Sequence, residues 1–318
     1  MSRYRAEKFF SARFYFHSWF ESWQKIVYTD KKTWGENMRD LSDIHVIEQT
    51  LKKYGFDFSK KLGQNFLTDP EVCPRMAELA CGDADAVVEI GPGIGVLTQQ
   101  LALRAKKVVA FELDRRLPAV LRETLSDFDN VEIINQDFLE VNLNTLIAEK
   151  FPGMRVAICA NLPYYITSPI ILGILTARAP ITRGVFMVQK EAGERLCAEP
   201  GTHAAGAVTI AVRYYAEARE VFGVPRTSFV PSPRVDSEVI ELVPHTTPPV
   251  QVVDEARFFR VVKAAFSQRR KTAVNGLSGG LGLPKEAVLT ALKSCGAQER
   301  SRAEELTLEQ FAALSQLL

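Results

Sequence analysis

Histidine is scarce in this chain, four residues among 318, and none stands at the spacing of a metal-binding helix such as HExxH. Cysteine offers no framework either. Cys73, Cys81, Cys159, Cys197 and Cys295 form no CxxC pair and sit in apolar or helical surroundings, as buried reduced thiols do. No apolar run approaches the ~20 residues that a membrane-spanning helix needs, so the chain reads as soluble, intracellular and cytoplasmic. Net charge is nearly absent, at +1, which leaves no global field to gather nucleic acid; any such contact needs a local basic patch. Internal repeats and low-complexity tracts are missing. So is a GxxxxGK[ST] loop, which argues against a nucleoside triphosphate. What remains is an apolar content of 47%, enough for one sizeable core with a smaller domain beside it.

Tryptophan is confined to one place. Trp19, Trp23 and Trp34 are the chain's whole complement, and all lie in a basic, aromatic opening segment, residues 1–37. That segment has no small-residue cleavage site and no clean apolar stretch, and Glu7 and Glu21 interrupt any transit-peptide pattern. It reads as an extension outside the fold, with Met38 as the natural start. A helix for a partner or a membrane surface is the alternative.

From residue 86 the pattern becomes regular. Buried-strand runs fall at 86–91, 107–114, 131–137, 154–163 and 184–191, with helical patterns at 95–105, at 115–125 and after the fifth strand. Two late strands, 219–224 and 237–244, suit antiparallel pairing. Such alternation predicts an α/β fold with a parallel, doubly wound sheet, and places ligands beyond the carboxyl ends of the strands. A proline-rich stretch at 244–251 marks a boundary, and the patterns after it, at 254–269, 285–295 and 307–317, are all helical. The expected organisation is an extension over 1–45, an α/β domain over 46–248 and a small all-α domain over 249–318.

Chemistry gathers at the strand ends. "EIGPGIG", Glu89 to Gly95, has glycines at Gly91, Gly93 and Gly95, a GxGxG spacing rather than the GxGxxG of dinucleotide binders. Glycine there lets a ligand approach the backbone, although a plain tight turn would look the same. Glu112, 21 positions after Gly91, ends the next strand and suits a ribose diol. Asp137 ends the third, where it can accept from an adenine amino group, with Phe138 beside the ring. These features describe a nucleoside without phosphates, and S-adenosylmethionine meets that description. The fourth strand runs into "NLPYY". The Asn161 side-chain oxygen and the Leu162 carbonyl, held by Pro163, can pull on the hydrogens of a base amino group and localise its lone pair. Tyr164 can stack on that base. The bland alternative is an Asn-capped helix beginning at Pro163 with its tyrosines in the core. Thr167 and Ser168, being small, are expected to leave room for a first methyl group. Phe229 reads equally well as a base-stacking ring or a core residue.

From about residue 45 onward the chain resembles the ribosomal RNA adenine N6-dimethyltransferase family, in its small-subunit branch. The resemblance rests on "KKLGQNFLTDP" (60–70), "VVEIGPGIGVLT" (87–98), "AFELDRRL" (110–117), "NQDF" (135–138), "NLPYYITSPI" (161–170), "FMVQKEAGERL" (186–196), "FVPSPRVDSEVIEL" (229–242) and "FSQRRKT" (266–272). It implies a Rossmann-like methyltransferase domain, S-adenosylmethionine as cofactor, and twofold methylation of adjacent adenines in a small-subunit rRNA hairpin loop by a monomer acting on a pre-subunit particle. It further implies that Gln64, Asn65 and Leu67 cover the cofactor and that Gly91, Glu112, Asp137 and Asn161 line its pocket. Arg234, Arg269, Arg270 and Lys271 are the candidate RNA contacts; a solvated basic helix end is the alternative for the last three. Rival readings are the antibiotic-resistance branch that acts on large-subunit rRNA and a non-catalytic ribosome-assembly factor.

Overall fold

The run Ala86–Ile90 is buried at every position, as a strand covered on both faces must be. In the computed structural model, which describes residues 39–55, 65–268 and 270–318, that run lies inside a seven-stranded sheet. Helix α1 (Ile44–Lys53), a two-residue strand β1 (Phe66–Leu67) and α2 (Val72–Cys81) precede it. The alternating part follows: β2 (Ala86–Ile90), α3 (Val96–Ala102), β3 (Lys107–Phe111), α4 (Leu117–Thr124), β4 (Val131–Ile134), α5 (Leu143–Lys150), β5 (Val156–Asn161), α6 (Thr167–Thr176) and β6 (Ile181–Gln189). Then come α7 (Lys190–Cys197), α8 (Ala207–Tyr215), β7 (Ala216–Val224), β8 (Phe229–Val230) and β9 (Ser237–Pro244). Helices close the chain: α9 (Glu255–Ala265), α10 (Ala273–Leu281), α11 (Lys285–Ser294) and α12 (Leu308–Leu317).

The strand order is β4-β3-β2-β5-β6-β9-β7. The first five strands are parallel, and β9 pairs antiparallel with both β6 and β7, as the late patterns predict. Order reverses between β2 and β5, the switch point where an open parallel sheet leaves a crevice. Alternate residues feed two cores. Val88, Val109, Ile158 and Phe186 face one layer of helices, while Val87, Val108, Ala157 and Val185 face the other. The first core continues without a break into the closing helices through Tyr214, Phe258, Leu277 and Phe311. Each such fully buried side chain contributes about 1.5–3 kcal/mol.

From β2 onward, four helices were not visible as sequence patterns. Three of them, α6, α8 and α10, break helix propensity for a stated reason. Pro169 sits in the first turn of α6, where its missing N–H costs nothing. The β-branched run of α8 reads as a strand, yet Gly206 N–H donates to Thr209 Oγ1 (2.8 Å) and starts a helix. In α10, a Cβ at Gly276 would stand 2.5 Å from the Ala265 carbonyl oxygen, so the helix needs glycine to lie backbone-to-backbone on α9. The third strand stops at Ile134 rather than 137, because Asp137 caps a short 3-10 turn by accepting from Leu139 N–H (2.9 Å). The helix expected over 254–269 ends at Ala265. The compact unit runs from Leu41, which is fully buried near Ile47 and Leu51, so packing begins ahead of the boundary drawn at 45. The opening segment 1–37, Gln64 and Arg269 lie outside the described residues. Among the described residues no helix is long and apolar enough to cross a membrane.

Candidate active site

Parallel register carries the strand ends to one level. Ile90 is paired with Phe111 on one side and Ala160 on the other, so Gly91, Glu112 and Asn161 come next to each other at the switch point. Gly91, Gly93 and Gly95 all have positive φ (71°, 60° and 100°), which only glycine adopts without strain. Thr124 Oγ1 donates to the Ile94 carbonyl (2.8 Å) and fixes the loop from behind. Gly93 N–H donates to Glu112 Oε2 (3.3 Å), and Asp114 N–H donates to Glu112 Oε1 (2.8 Å). The Glu112 carboxyl is therefore aimed before any ligand arrives.

One cavity joins these residues. Asn65, Leu67, Gly91, Gly93, Glu112, Asp137, Phe138, Asn161, Leu162, Pro163 and Tyr164 all line it. Arg234, Arg270 and Lys271 do not; all three are exposed elsewhere on the surface. Nor do Thr167 and Ser168 line it. Thr167 is buried and its hydroxyl donates to the Pro163 carbonyl (3.3 Å), so it braces the motif instead of leaving room for a methyl group.

Sequence reasoning marks Glu89, two places before Gly91, only as a departure from the dinucleotide pattern and gives it no role in the site. Glu89 lines the cavity, is 1% exposed, and neither carboxylate oxygen has a hydrogen-bond partner of good geometry. Burial pushes its pKa up to about 8, and the nearby Thr98 hydroxyl only partly offsets that. Burial likewise raises Glu112 to about 7. Two buried acids, one without partners, suit a ligand that brings positive charge and a diol. An acid inside an otherwise apolar strand was the available signal. Leu113, beside Glu112, is half exposed at the cavity, and Phe138 stands edge-on to Phe111 at 5.5 Å. They offer apolar faces to a flat ring. S-adenosylmethionine, with an adenosine, a sulfonium and an ammonium group, fits this donor set.

The lining that follows β5 is built differently. Leu162 N–H continues the β5–β6 ladder by donating to the Met187 carbonyl (3.0 Å), and Pro163 ends it. Among the described residues, no protein group bonds the Asn161 side chain or the Leu162 carbonyl, so both acceptors remain open to a ligand. The Tyr164 hydroxyl meets Ser237 Oγ at 2.7 Å, which holds the ring at the cavity, and burial raises its pKa. Phe229 is 3% exposed in the core and also lines the cavity, so its position suits both readings left open by the sequence.

A family model described as ribosomal RNA adenine dimethylase matches residues 55–318. A protein of Geobacillus sp. (strain WCH70), named ribosomal RNA small subunit methyltransferase A, is 49% identical over 88% of this chain and 98% of its own length. A protein of the same name from Bacillus cytotoxicus is 48% identical over the same shares. Among solved structures, the 23S rRNA methyltransferase ErmE is 30% identical, with a TM-score of 0.61 over 80% of this chain and 99% of that one. A dimethyladenosine transferase from Plasmodium falciparum is 26% identical, with a TM-score of 0.63 over 78% and 95%.

Proposed function

The chain belongs to the ribosomal RNA adenine dimethylase family, and we propose on that ground that it dimethylates N6 of adjacent adenines in small-subunit rRNA. The observation that carries the reading is the pair of open acceptors, Asn161 and Leu162, in a cavity that Glu89 and Glu112 also line. When bound, S-adenosylmethionine supplies a methyl group already activated on a sulfonium. Glu112 would hold its ribose diol, Leu113 and Phe138 would flank its adenine, and Glu89 would meet its positive charge. The Asn161 oxygen and the Leu162 carbonyl accept the two hydrogens of the target N6 and localise its lone pair. Tyr164 and Phe229 present faces to the base. As N6 gains the methyl it gives up one proton to solvent, so one hydrogen remains on it, and turning the base offers that hydrogen to the same acceptors.

The branch is argued from identity. Relatives named for the small subunit are 49% and 48% identical over nearly their whole length, against 30% for the enzyme named for 23S rRNA. Unstacking a paired adenine costs a few kcal/mol, which favours a hairpin loop of a pre-subunit particle as substrate. The chain acts as a monomer in the cytoplasm in this reading. The test is mass spectrometry of rRNA nucleosides after incubation of unmethylated small subunits with protein and S-adenosylmethionine. N6,N6-dimethyladenosine in small-subunit rRNA is the expected product. Methylation confined to the large subunit overturns the branch, and no methylation overturns the activity.

A further inference from the structure

We propose that Ser228 is a positioning residue that ties the cofactor cover to the base-stacking wall, so that donor and RNA bind with positive coupling. The proposal rests on the function just given. Strands β1 and β8 form a ribbon of only two residue pairs, Phe66 with Val230 and Leu67 with Phe229. So short a ribbon is not stable alone. Yet it carries residues of both halves of the cavity: Asn65, Phe66 and Leu67 on one strand, Phe229 on the other. Ser228 supplies what the ribbon lacks. Its carbonyl accepts from Thr68 N–H (2.8 Å) and from Thr68 Oγ1 (3.1 Å), and its hydroxyl donates to Asp69 Oδ2 (3.0 Å). Ser228 is itself 7% exposed and touches neither wall of the cavity.

The segment that follows is a bracket with two ends. At one end Ser228 grips the strand that covers the cofactor side. At the other, Ser237 holds the Tyr164 hydroxyl at 2.7 Å. Between them the chain is closed on itself, since Arg226 N–H donates to Asp236 Oδ1 (2.9 Å) and Ser232 Oγ donates to the Arg226 carbonyl (2.8 Å). A ligand that settles Asn65–Leu67 therefore settles Phe229 and Tyr164 as well. A base that settles those rings settles the cofactor cover in return, and linkage makes the two effects equal.

The experiment is calorimetric binding of S-adenosylhomocysteine to the full chain, with and without a small-subunit rRNA hairpin. RNA should tighten the parent's S-adenosylhomocysteine binding by roughly tenfold, within the usual range of such couplings. Ser228→Ala and Asp69→Ala should each bring that factor below about threefold. Asp69→Asn keeps the acceptor and should restore the parent's factor. A folded Ser228→Ala that retains the parent's factor overturns the proposal. So does equal weakening of both ligands with the factor unchanged, which is what a merely structural serine would give. If Ser228→Ala does not fold, Asp69→Ala decides by the same criterion. A parent that methylates small-subunit rRNA but shows no coupling overturns this inference alone; a parent that does not bind the hairpin overturns the function and the inference together.

Discussion

The two walls of the cavity are made in opposite ways. The donor wall comes from consecutive strand ends, with Glu89 and Gly91 on β2, Glu112 after β3 and Asp137 after β4. Each residue is placed by the parallel ladder beside it; backbone N–H groups aim the Glu112 and Asp137 carboxyls, while the Glu89 carboxyl has no such bond. The base wall gathers Asn161 and Tyr164 from the end of β5 and Phe229 from a two-residue strand, with Ser237 of β9 holding the Tyr164 hydroxyl. Its Asn161 and Leu162 acceptors are left open. A cofactor that is always the same suits a preformed wall, whereas a base that must enter, be methylated and turn needs acceptors that are not already taken.

The comparison predicts that the open wall governs rate and the preformed wall governs affinity. The largest effect should come from Asn161→Ala. It should cut single-turnover methyl transfer by on the order of 10²-fold or more, as losing an oriented transition-state hydrogen bond does. Donor and RNA affinities should stay within about threefold, a difference of well under 1.4 kcal/mol. Full activity in this variant would leave the open Asn161 amide without a part in transfer.

Glu112→Gln should act the other way. It should weaken S-adenosylhomocysteine binding by on the order of 1–3 kcal/mol, the scale of hydrogen bonds to a charged group, with a smaller change in the rate at saturating donor. Its pH dependence sharpens the point. Burial raises Glu112 to about 7 in the free protein, and in the proposed reading the ribose diol donates to its ionised form. Affinity should therefore fall as pH drops below about 7, approaching roughly tenfold per unit if one proton is involved, and Glu112→Gln should flatten that profile. The free protein should show the opposite trend in stability. Raised pKa values at Glu89 and Glu112 mean that the folded state holds protons the unfolded state has lost, so their contribution declines as pH rises from about 4.5 to about 8. Thermal melts of parent and Glu89→Gln across that range check it: the neutral variant should lose less stability than the parent.

This contrast also explains what the sequence could disclose. Short apolar runs ending in glycine or an acid expose β2, β3 and β4, and the spacing of Gly91 and Glu112 then implies the donor wall. Glu89 was given no role because one acid within AVVEI looks like an ordinary interruption until its lack of partners is seen. On the base wall, Asn161 and Tyr164 were readable as a motif. The double role of Phe229 was not, since β1 and β8 are each two residues long and give no periodicity. The ribbon exists only through pairing between segments remote in the chain. Helix α8 was hidden by its β-branched residues, and α10 by glycines whose purpose is contact with α9.

Tyr164→Phe gives a smaller effect that separates ring from hydroxyl. The stacking face remains, but the bond to Ser237 is lost. About 0.5–1.5 kcal/mol should go from RNA affinity, the net worth of one neutral hydrogen bond. Tyr164→Ala should lose more, roughly 1–3 kcal/mol, with the stacking face gone. Equal losses in the two variants would mean that the hydroxyl, and not the ring, meets the substrate.

The smallest effect should lie farthest from both walls. Arg270 and Lys271 are exposed in the turn between α9 and α10, and among the described residues neither has an ion-pair partner. Gly276 and Gly280 bring α10 against α9 so closely that a Cβ at Gly280 would stand 2.7 Å from the Ala264 Cβ. In a chain of net charge +1, a local pair of this kind is what could register RNA phosphates. Replacing both with alanine should lower the salt slope of RNA binding by about one unit for each phosphate no longer neutralised. The deficit should shrink as salt rises, because screening weakens the parent's binding as well. Affinity for S-adenosylhomocysteine and the transfer rate at saturating RNA should not change, since no cavity residue is touched. A slope equal to the parent's would show that this helix end is only solvated, and that RNA is held by the base wall and its surroundings instead.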